Sequence, residues 1–475
     1  MRVALLTPLP PTRSGVAHYA SMLLPGLGQQ VDVRAFDSLD GYGRGDFDAA
    51  IYQLGNNPHH EFVYREAMEH PGVTVLHDFV LHHLVVEMTL ARGDVDGYVE
   101  ALRANHGEAG AAWARGRAAG LHSEMGNFLL PASVEVANRS RAVIVHNAWA
   151  ASRLESLGVT APIHVIPHPY VPATYPDRAS IRARLGLDPA ARVIGLFGFL
   201  TSAKRSEIVL RAFAAARSRE RSLQLLVVGE PAPNIDVASM AADGITFTGY
   251  VDDDDFAAYY AAVDRLVNLR YPSAGETSGT LIRAFDAGKP VAVSDYAQFA
   301  ELPGDCVTKI AFGDGEVDAL CDFFTRPLDA AAIARAQRAW LHANARLELT
   351  VAGYLRALAP QEPRASAGVT RTVPLFPRLA LVNVERDPLA ITIRNDGEAT
   401  LRTRTYGEPG YRLIVKLFNG TAETYDRWVQ LPGDLAPGAS ARIALPVNGR
   451  GTLALFHAIE GIPMLEPEAW ARAEL

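Results

Sequence analysis

Cysteine is nearly missing from this chain: two of 475 residues, Cys306 and Cys321. Two thiols are too few for a disulfide framework or a structural zinc site, and they fit a reducing compartment. Long apolar runs are missing as well, and none approaches the roughly 18 residues that a membrane span needs. The opening Met1-Arg-Val-Ala-Leu-Leu-Thr-Pro8 is broken too early for a secretory signal, so the expected location is cytoplasmic. No long run of one charge occurs, and 45 basic against 53 acidic side chains give a net charge of −8. That argues against nucleic acid as the main partner, although a local basic cluster can still hold an anionic substrate. The loop after the first apolar segment lacks a Gly-x-Gly-x-x-Gly fingerprint, so a dinucleotide is not expected.

What is present is the composition of a globular protein, 49% hydrophobic and 21% charged, long enough for two or three cored domains. Short apolar runs alternate with helical spacing, the pattern of an α/β fold with parallel sheets. Val3–Thr7 reads as a first strand, and a helix begins just after Gly15, where a ligand can approach the backbone closely. Asp48–Leu54 and Val73–Leu76 are further strands. Polar residues at their carboxyl ends (Asn56, His60, His77, Asp78) fall where such folds bind ligands. Residues 84–140 read as helical, Ala142–His146 as a strand, and His168 as a strand-end residue near a cleft, without an assigned role. Tyr170 to Asp188 reads as a connector, after which the plan repeats from Val193. The four-Asp run Asp252–Asp255 lacks a calcium-loop alternation and is expected to cap a helix.

The most informative stretch runs from Tyr271 to Asp295. A strand, a small polar turn (Ser273 to Ser278) and a helix from about Gly279 to Ala287 succeed one another. Free backbone N–H groups and the positive dipole end of such a helix make an anion cradle. Glu276 in the turn cannot hold a phosphate but can accept from hydroxyls, so a sugar–phosphate compound is indicated. After a Pro/Ser/Gly-rich linker at 360–368, short alternating segments separated by Asn-Gly and Pro-Gly turns read as a β-sandwich.

The wording of the 271–295 stretch resembles the donor-site signature of retaining glycosyltransferases of family 4 (glycosyl transferases group 1). In that family a Glu-Gly-Phe-Gly-like turn leads into a helix ending in Gly-x-Pro-Val, here Gly288-Lys-Pro-Val291. The resemblance covers roughly residues 1–355. It implies two Rossmann-like domains facing a cleft (GT-B): an acceptor domain at 1–170 and a donor domain at 171–359, followed by an immunoglobulin-like sandwich at 370–475.

Pro8–Ala20 looks like the family's first glycine loop, under the transferred sugar and the donor phosphates. Gly198–Lys204 stands where the family has Gly-Arg-Leu-x-x-x-Lys, with Phe199 in place of the arginine and Arg205 as the candidate for the missing charge. Gly229-Glu230 resembles the loop near the nucleotide base. The family's second motif glutamate, which binds ribose, is replaced by Arg283, and Gly275 stands at the first, with Glu276 displaced by one.

The resemblance implies a glycosyltransferase that needs no metal and no further cofactor, with a UDP- or GDP-linked sugar as donor. Lys204, Arg205 and the backbone of Ser278, Gly279 and Thr280 would neutralise the diphosphate. Glu276, His77 and Gly15 would orient the sugar, and Gly229 and Glu230 would meet the nucleotide. The acceptor would be a glycan, a lipid-linked molecule or a protein, with peripheral association at a membrane. Two other readings stay open: a non-catalytic nucleotide-sugar or glycan-binding partner, and an epimerase or hydrolase of the same fold.

Overall fold

In the computed structural model the described residues are 1–120, 124–231, 242–313, 315–360, 378–397, 400–401, 403, 410–445, 449–459 and 469–475. The linker at 360–368 thus lies, from residue 361, outside the described residues.

Six fully parallel strands form the first sheet: β1 (Arg2–Leu6), β2 (Asp32–Phe36), β3 (Ala49–Leu54), β4 (Val73–Leu76), β5 (Ala142–Val145) and β6 (Ile163–Val165). Their order is β2-β1-β3-β4-β5-β6. Central strands buried on both faces read as unbroken apolar runs, and β4 and β5 are buried at every position. A second parallel sheet contains β7 (Arg192–Phe197), β8 (Leu223–Val228), β9 (Ile245–Phe247), β10 (Arg265–Asn268), β11 (Val291–Ser294) and β12 (Thr308–Ile310). Its order is β12-β11-β10-β7-β8-β9, the doubly wound arrangement of dinucleotide-type folds.

Both sheets therefore have a place where consecutive connections leave in opposite directions, between β1 and β3 in the first and between β7 and β10 in the second. Ligands of such folds bind in the crevice outside the carboxyl ends of the strands at these points. The loops there are the ones that begin at Thr7, Gly55, Gly198 and Leu269.

The connector between the halves is more structured than its proline and arginine content predicts. Arg178–Arg184 is a helix capped by Asp177, whose side chain accepts from Ser180 N. Arg182 is buried and ties this segment to the second half through Asp264 and the carbonyls of Ala262 and Ala191. The four-Asp run caps the helix Asp253–Ala262 as expected, with Asp252 accepting from Asp255 N.

The last helix of the second half, Leu347–Leu358, packs in the core of the first. Its Val351, Tyr354 and Ala357 join Val3, Leu5, Tyr19 and Ile144. The Tyr354 and Tyr19 hydroxyls lie 2.9 Å apart. Burying such large side chains contributes about 1.5–3 kcal/mol each, so this helix belongs by packing to the first half, across the boundary expected at 171.

Beyond the linker, two antiparallel sheets share one core. The three-stranded one is β13 (Leu379–Arg386), β14 (Leu389–Asn395) and β17 (Ser440–Ala444). The four-stranded one is β15 (Tyr411–Asn419), β16 (Ala422–Gln430), β18 (Thr452–Ile459) and β19 (Ala471–Glu474). Ile391 and Ile393 of one face Leu413, Val415, Leu453 and Leu455 of the other. The alternating pattern at Leu389–Arg394 and Arg412–Phe418 becomes β14 and β15.

Candidate active site at the interdomain cleft

At the switch point of the second sheet, the loop after β7 turns at Gly198, with φ of +84°. A Cβ added there would lie 2.6 Å from Lys204 Nζ and 3.5 Å from Thr280 Oγ1. The ammonium of the first loop and the first-turn hydroxyl of the helix Gly279–Asp286 therefore converge over one glycine that only a residue without a side chain can supply. Lys204 is buried and donates to Phe197 O at 2.7 Å. Burial, and then the guanidinium of Arg270, push its ammonium well below the usual range, while Glu276 pulls it back. Ser278 caps the helix, accepting from Leu281 N at 3.3 Å and donating to Asn268 Oδ1 at 3.0 Å. Nothing would stand within 4 Å of a Cβ at Gly279, so the helix N-terminus is open on that side.

Glu276 is held by its own turn. Its Oε1 accepts from Arg270 Nε at 2.9 Å, and its Oε2 from Ala274 N at 3.0 Å and Ser273 Oγ at 3.3 Å. A carboxylate offers about four lone-pair sites, so about one is left for a ligand hydroxyl. The turn in turn docks on the first half. Ala274 O accepts from Phe79 N at 2.6 Å and Val80 N at 3.2 Å, and Gly275 O accepts from Asn147 Nδ2 at 2.9 Å. Beside it, the Glu301 carboxylate accepts from Ala148 N and Trp149 N at the start of the helix Ala148–Ser156.

The first half brings the carboxyl ends of β3, β4 and β5 to this junction. Asp78 Oδ2 accepts from Asn56 N at 2.7 Å. Burial and the neighbouring Glu276 raise its carboxyl to about 7. His77, His146 and His168 surround the ring of Tyr19, at centroid distances of 4.5, 5.2 and 5.0 Å. Burial keeps all three imidazoles neutral, His146 at about 4 and His168 at about 3. Gly15 opens the helix Gly15–Gly28 and has open space around it, with Ser14 capping through Val16 N at 3.2 Å.

One expected site residue has another partner. Arg205, expected as the second cation of the diphosphate site, is committed to a bidentate pair with the buried Glu316, at 2.6 and 2.5 Å, and lies over the Phe312 ring at 4.6 Å. The cation beside Lys204 and Glu276 is Arg270. Gly229 and Glu230 sit at the neighbouring strand end, where Gly229 N donates to Gly249 O at 3.0 Å and Glu230 O accepts from Leu200 N at 2.9 Å. Arg283 reaches across to the first half and donates to His18 Nε2 at 3.0 Å, with Asp253 at 3.5 Å.

Arg270 and His146 were missed in the sequence although the rule that selected His77 applies to them. Each directly follows a buried strand segment, Leu266–Leu269 and Ala142–Val145. His18 and Arg283 carry no such signal, because their meeting depends on how the halves face each other.

Comparison with known proteins agrees with this fold. Residues 191–329 match the family model described as Glycosyl transferases group 1. Among curated proteins, D-inositol 3-phosphate glycosyltransferase of Mycobacterium sp. (strain KMS) is 31% identical over 203 residues, 40% of this chain and 43% of that protein. The enzyme of the same name from Mycolicibacterium vanbaalenii is 26% identical over 272 residues, 50% of this chain and 58% of that protein. The matched segments thus span about half the length of these relatives. Among solved structures, Anabaena Alr3699/HepE in complex with UDP and glucose superposes with a TM-score of 0.52 at 16% identity, over 75% of this chain and all of that one. A glycosyltransferase from Rickettsia africae gives 0.50 at 12% identity, over 75% and 97%. Residues 191–329 thus resemble a glycosyl transferases group 1 domain and lie in the second of two Rossmann-like halves of a GT-B fold, with an all-β domain appended.

Proposed function

We propose that this protein is a glycosyltransferase that moves a sugar from a nucleotide-diphosphate donor to a hydroxyl acceptor, with retention and without a metal. The observation that carries the reading is the convergence of Lys204 Nζ and Thr280 Oγ1 over Gly198, at the switch point and at an open helix N-terminus. A buried ammonium, a hydroxyl and free amide N–H groups are a set of donors suited to the charge that develops on a leaving diphosphate. The UDP and glucose bound by the Anabaena protein of the same fold support a nucleotide-sugar donor, with UDP the first nucleotide to test.

In this reading the bond between the anomeric carbon and the diphosphate oxygen breaks, and the diphosphate leaves with the electron pair. The acceptor oxygen bonds to the anomeric carbon from the same face and passes its proton to the departing phosphate oxygen. Lys204 and the first turn of the helix stabilise that charge, and Arg270 holds Glu276 in place beside it. His77, Asp78 and the loop at Gly15 form the wall against which the sugar and acceptor are oriented.

The test is transfer from a panel of UDP- and GDP-sugars, with Lys204→Ala alongside. Turnover should fall by about 100-fold or more when such a charge-stabilising donor is removed. Near-normal turnover in that variant would overturn the assignment. Free sugar released equally with and without acceptor would make the protein a hydrolase, and a chain that binds no nucleotide diphosphate is no transferase.

A further inference from the structure

His77 does not stand alone at the end of β4. His146, at the end of the adjacent β5, places Nε2 3.1 Å from His77 Nδ1 and Nδ1 2.8 Å from the backbone oxygen of Ile166. A carbonyl oxygen only accepts, so His146 carries its proton on Nδ1 and presents a bare lone pair at Nε2. That lone pair requires His77 to bring its own proton on Nδ1. The second nitrogen of His77, Nε2, is then a lone pair as well. It is buried and has no hydrogen-bond partner in the protein.

No neighbour changes this direction. The Tyr19 ring stands edge-on to His77 at 4.5 Å, and its hydroxyl is engaged with that of Tyr354 at 2.9 Å. His168 Nδ1 is engaged with Pro169 O at 2.7 Å, and His60 Nδ1 with Gln53 O at 2.9 Å. Burial keeps the imidazoles neutral, so a second proton is not held on either ring of the pair. An unsatisfied buried nitrogen costs about 1–3 kcal/mol, and at the carboxyl end of a parallel strand a ligand group can satisfy it.

We propose that His146 is a positioning residue that makes His77 an obligate hydrogen-bond acceptor, so that the site takes a hydroxyl of the substrate at His77 Nε2 and rejects a carboxylate there. The relay from Ile166 O through His146 sets the proton inventory, whatever the ligand. What the ligand is rests on the glycosyltransferase reading, which makes it a sugar hydroxyl. A carboxylate at the same point brings no proton to share and would be desolvated against a lone pair. Donors with a neutral hydroxymethyl or hydroxyl group at this point are therefore preferred over the corresponding uronates.

Two measurements on the full chain separate the parts. In protein labelled with 15N-histidine, long-range correlation of ring nitrogens with ring protons reads the tautomer of His77, assigned by its loss in His77→Gln. The Nδ1–H form is expected in the wild type, a change toward Nε2–H in His146→Leu, and return to Nδ1–H in His146→Gln, whose amide can accept from His77 and donate to Ile166 O. An Nε2–H tautomer in the wild type overturns the relay, as does an unchanged tautomer in folded His146→Leu. If His146→Leu fails to fold, the wild-type and His146→Gln spectra decide.

In transfer assays, His146→Leu should lower kcat/KM by about 10-fold or more, the scale of one misplaced hydrogen bond. Nucleotide-diphosphate affinity should be unchanged, with recovery in His146→Gln. Full transfer with a switched tautomer removes the positioning role, and equal use of the uronate removes the selectivity. The expected tautomers in a protein that transfers no sugar would leave the relay standing and bring down the glycosyltransferase reading instead.

Discussion

Arg270 Nε donates to Glu276 Oε1 at 2.9 Å, while Arg205, the cation adjacent to Lys204 in sequence, is turned away to Glu316. Two arginines near one lysine thus have different tasks, and substitutions should separate them. Arg205→Ala leaves a buried carboxylate unpaired and should destabilise the fold by about 3 kcal/mol. Chemical denaturation reads that loss, and kcat/KM of the folded protein should stay within about threefold of wild type. Arg270→Ala leaves Glu276 uncompensated beside the diphosphate site and should lower kcat/KM by about 10-fold or more. Equal effects of the two variants on turnover would refute this division.

Lys204 is held below its ordinary range by burial and Arg270. A bound diphosphate favours the ammonium form, so nucleotide binding should take up protons and weaken as pH rises. Calorimetry of UDP binding in two buffers of different ionisation enthalpy measures the uptake. Lys204→Met should abolish it, and uptake that survives in that variant belongs to another group.

Gly275 has φ of +77°, and a Cβ there would lie 2.7 Å from Phe79 Cβ and 2.9 Å from Trp149 Cζ3. Gly275→Ala therefore carries backbone strain of about 1–3 kcal/mol as well as a clash at the contact between the halves. The amides of Phe79 and Val80, which donate to Ala274 O, should exchange faster with solvent. Unchanged protection of those two amides would show that the turn is not what joins the halves.

The Asp78 carboxyl is raised to about 7 by burial and Glu276, against an ordinary value of about 3.9 in the unfolded chain. The native state thus holds the extra proton between these values. By linkage, this contribution to stability is fully present near pH 4, is lost as pH rises toward 7, and is level above that. In Asp78→Asn the loss is removed while the oxygen that accepts from Asn56 N is kept. Melting temperatures of the variant and the wild type should therefore be similar at pH 4, with the variant higher at pH 8. A gap of constant size across that range would assign the raised carboxyl elsewhere.

The sequence by itself determined the elements and their ends. Short β-branched runs such as Ala142–Val145 and Val73–Leu76 read as buried parallel strands and are so, and the turn and cap at Ser273–Ser278 follow from local chemistry. It also marked His77, because a strand end is a position that chain order fixes, while Glu276 was marked by its turn and Lys204 by the family resemblance. Which cation serves which carboxylate was decided only by the tertiary structure. Arg205 and Arg270 flank the same lysine, and a choice between Glu316 and Glu276 depends on contacts 111 and six residues apart in the chain. The same holds for His146 behind His77, for His18 against Arg283, and for the helix Leu347–Leu358 on the other half's core. The last two come from how the two halves face each other, and the others from which strand ends and helices each sheet brings together, and no local pattern encodes either.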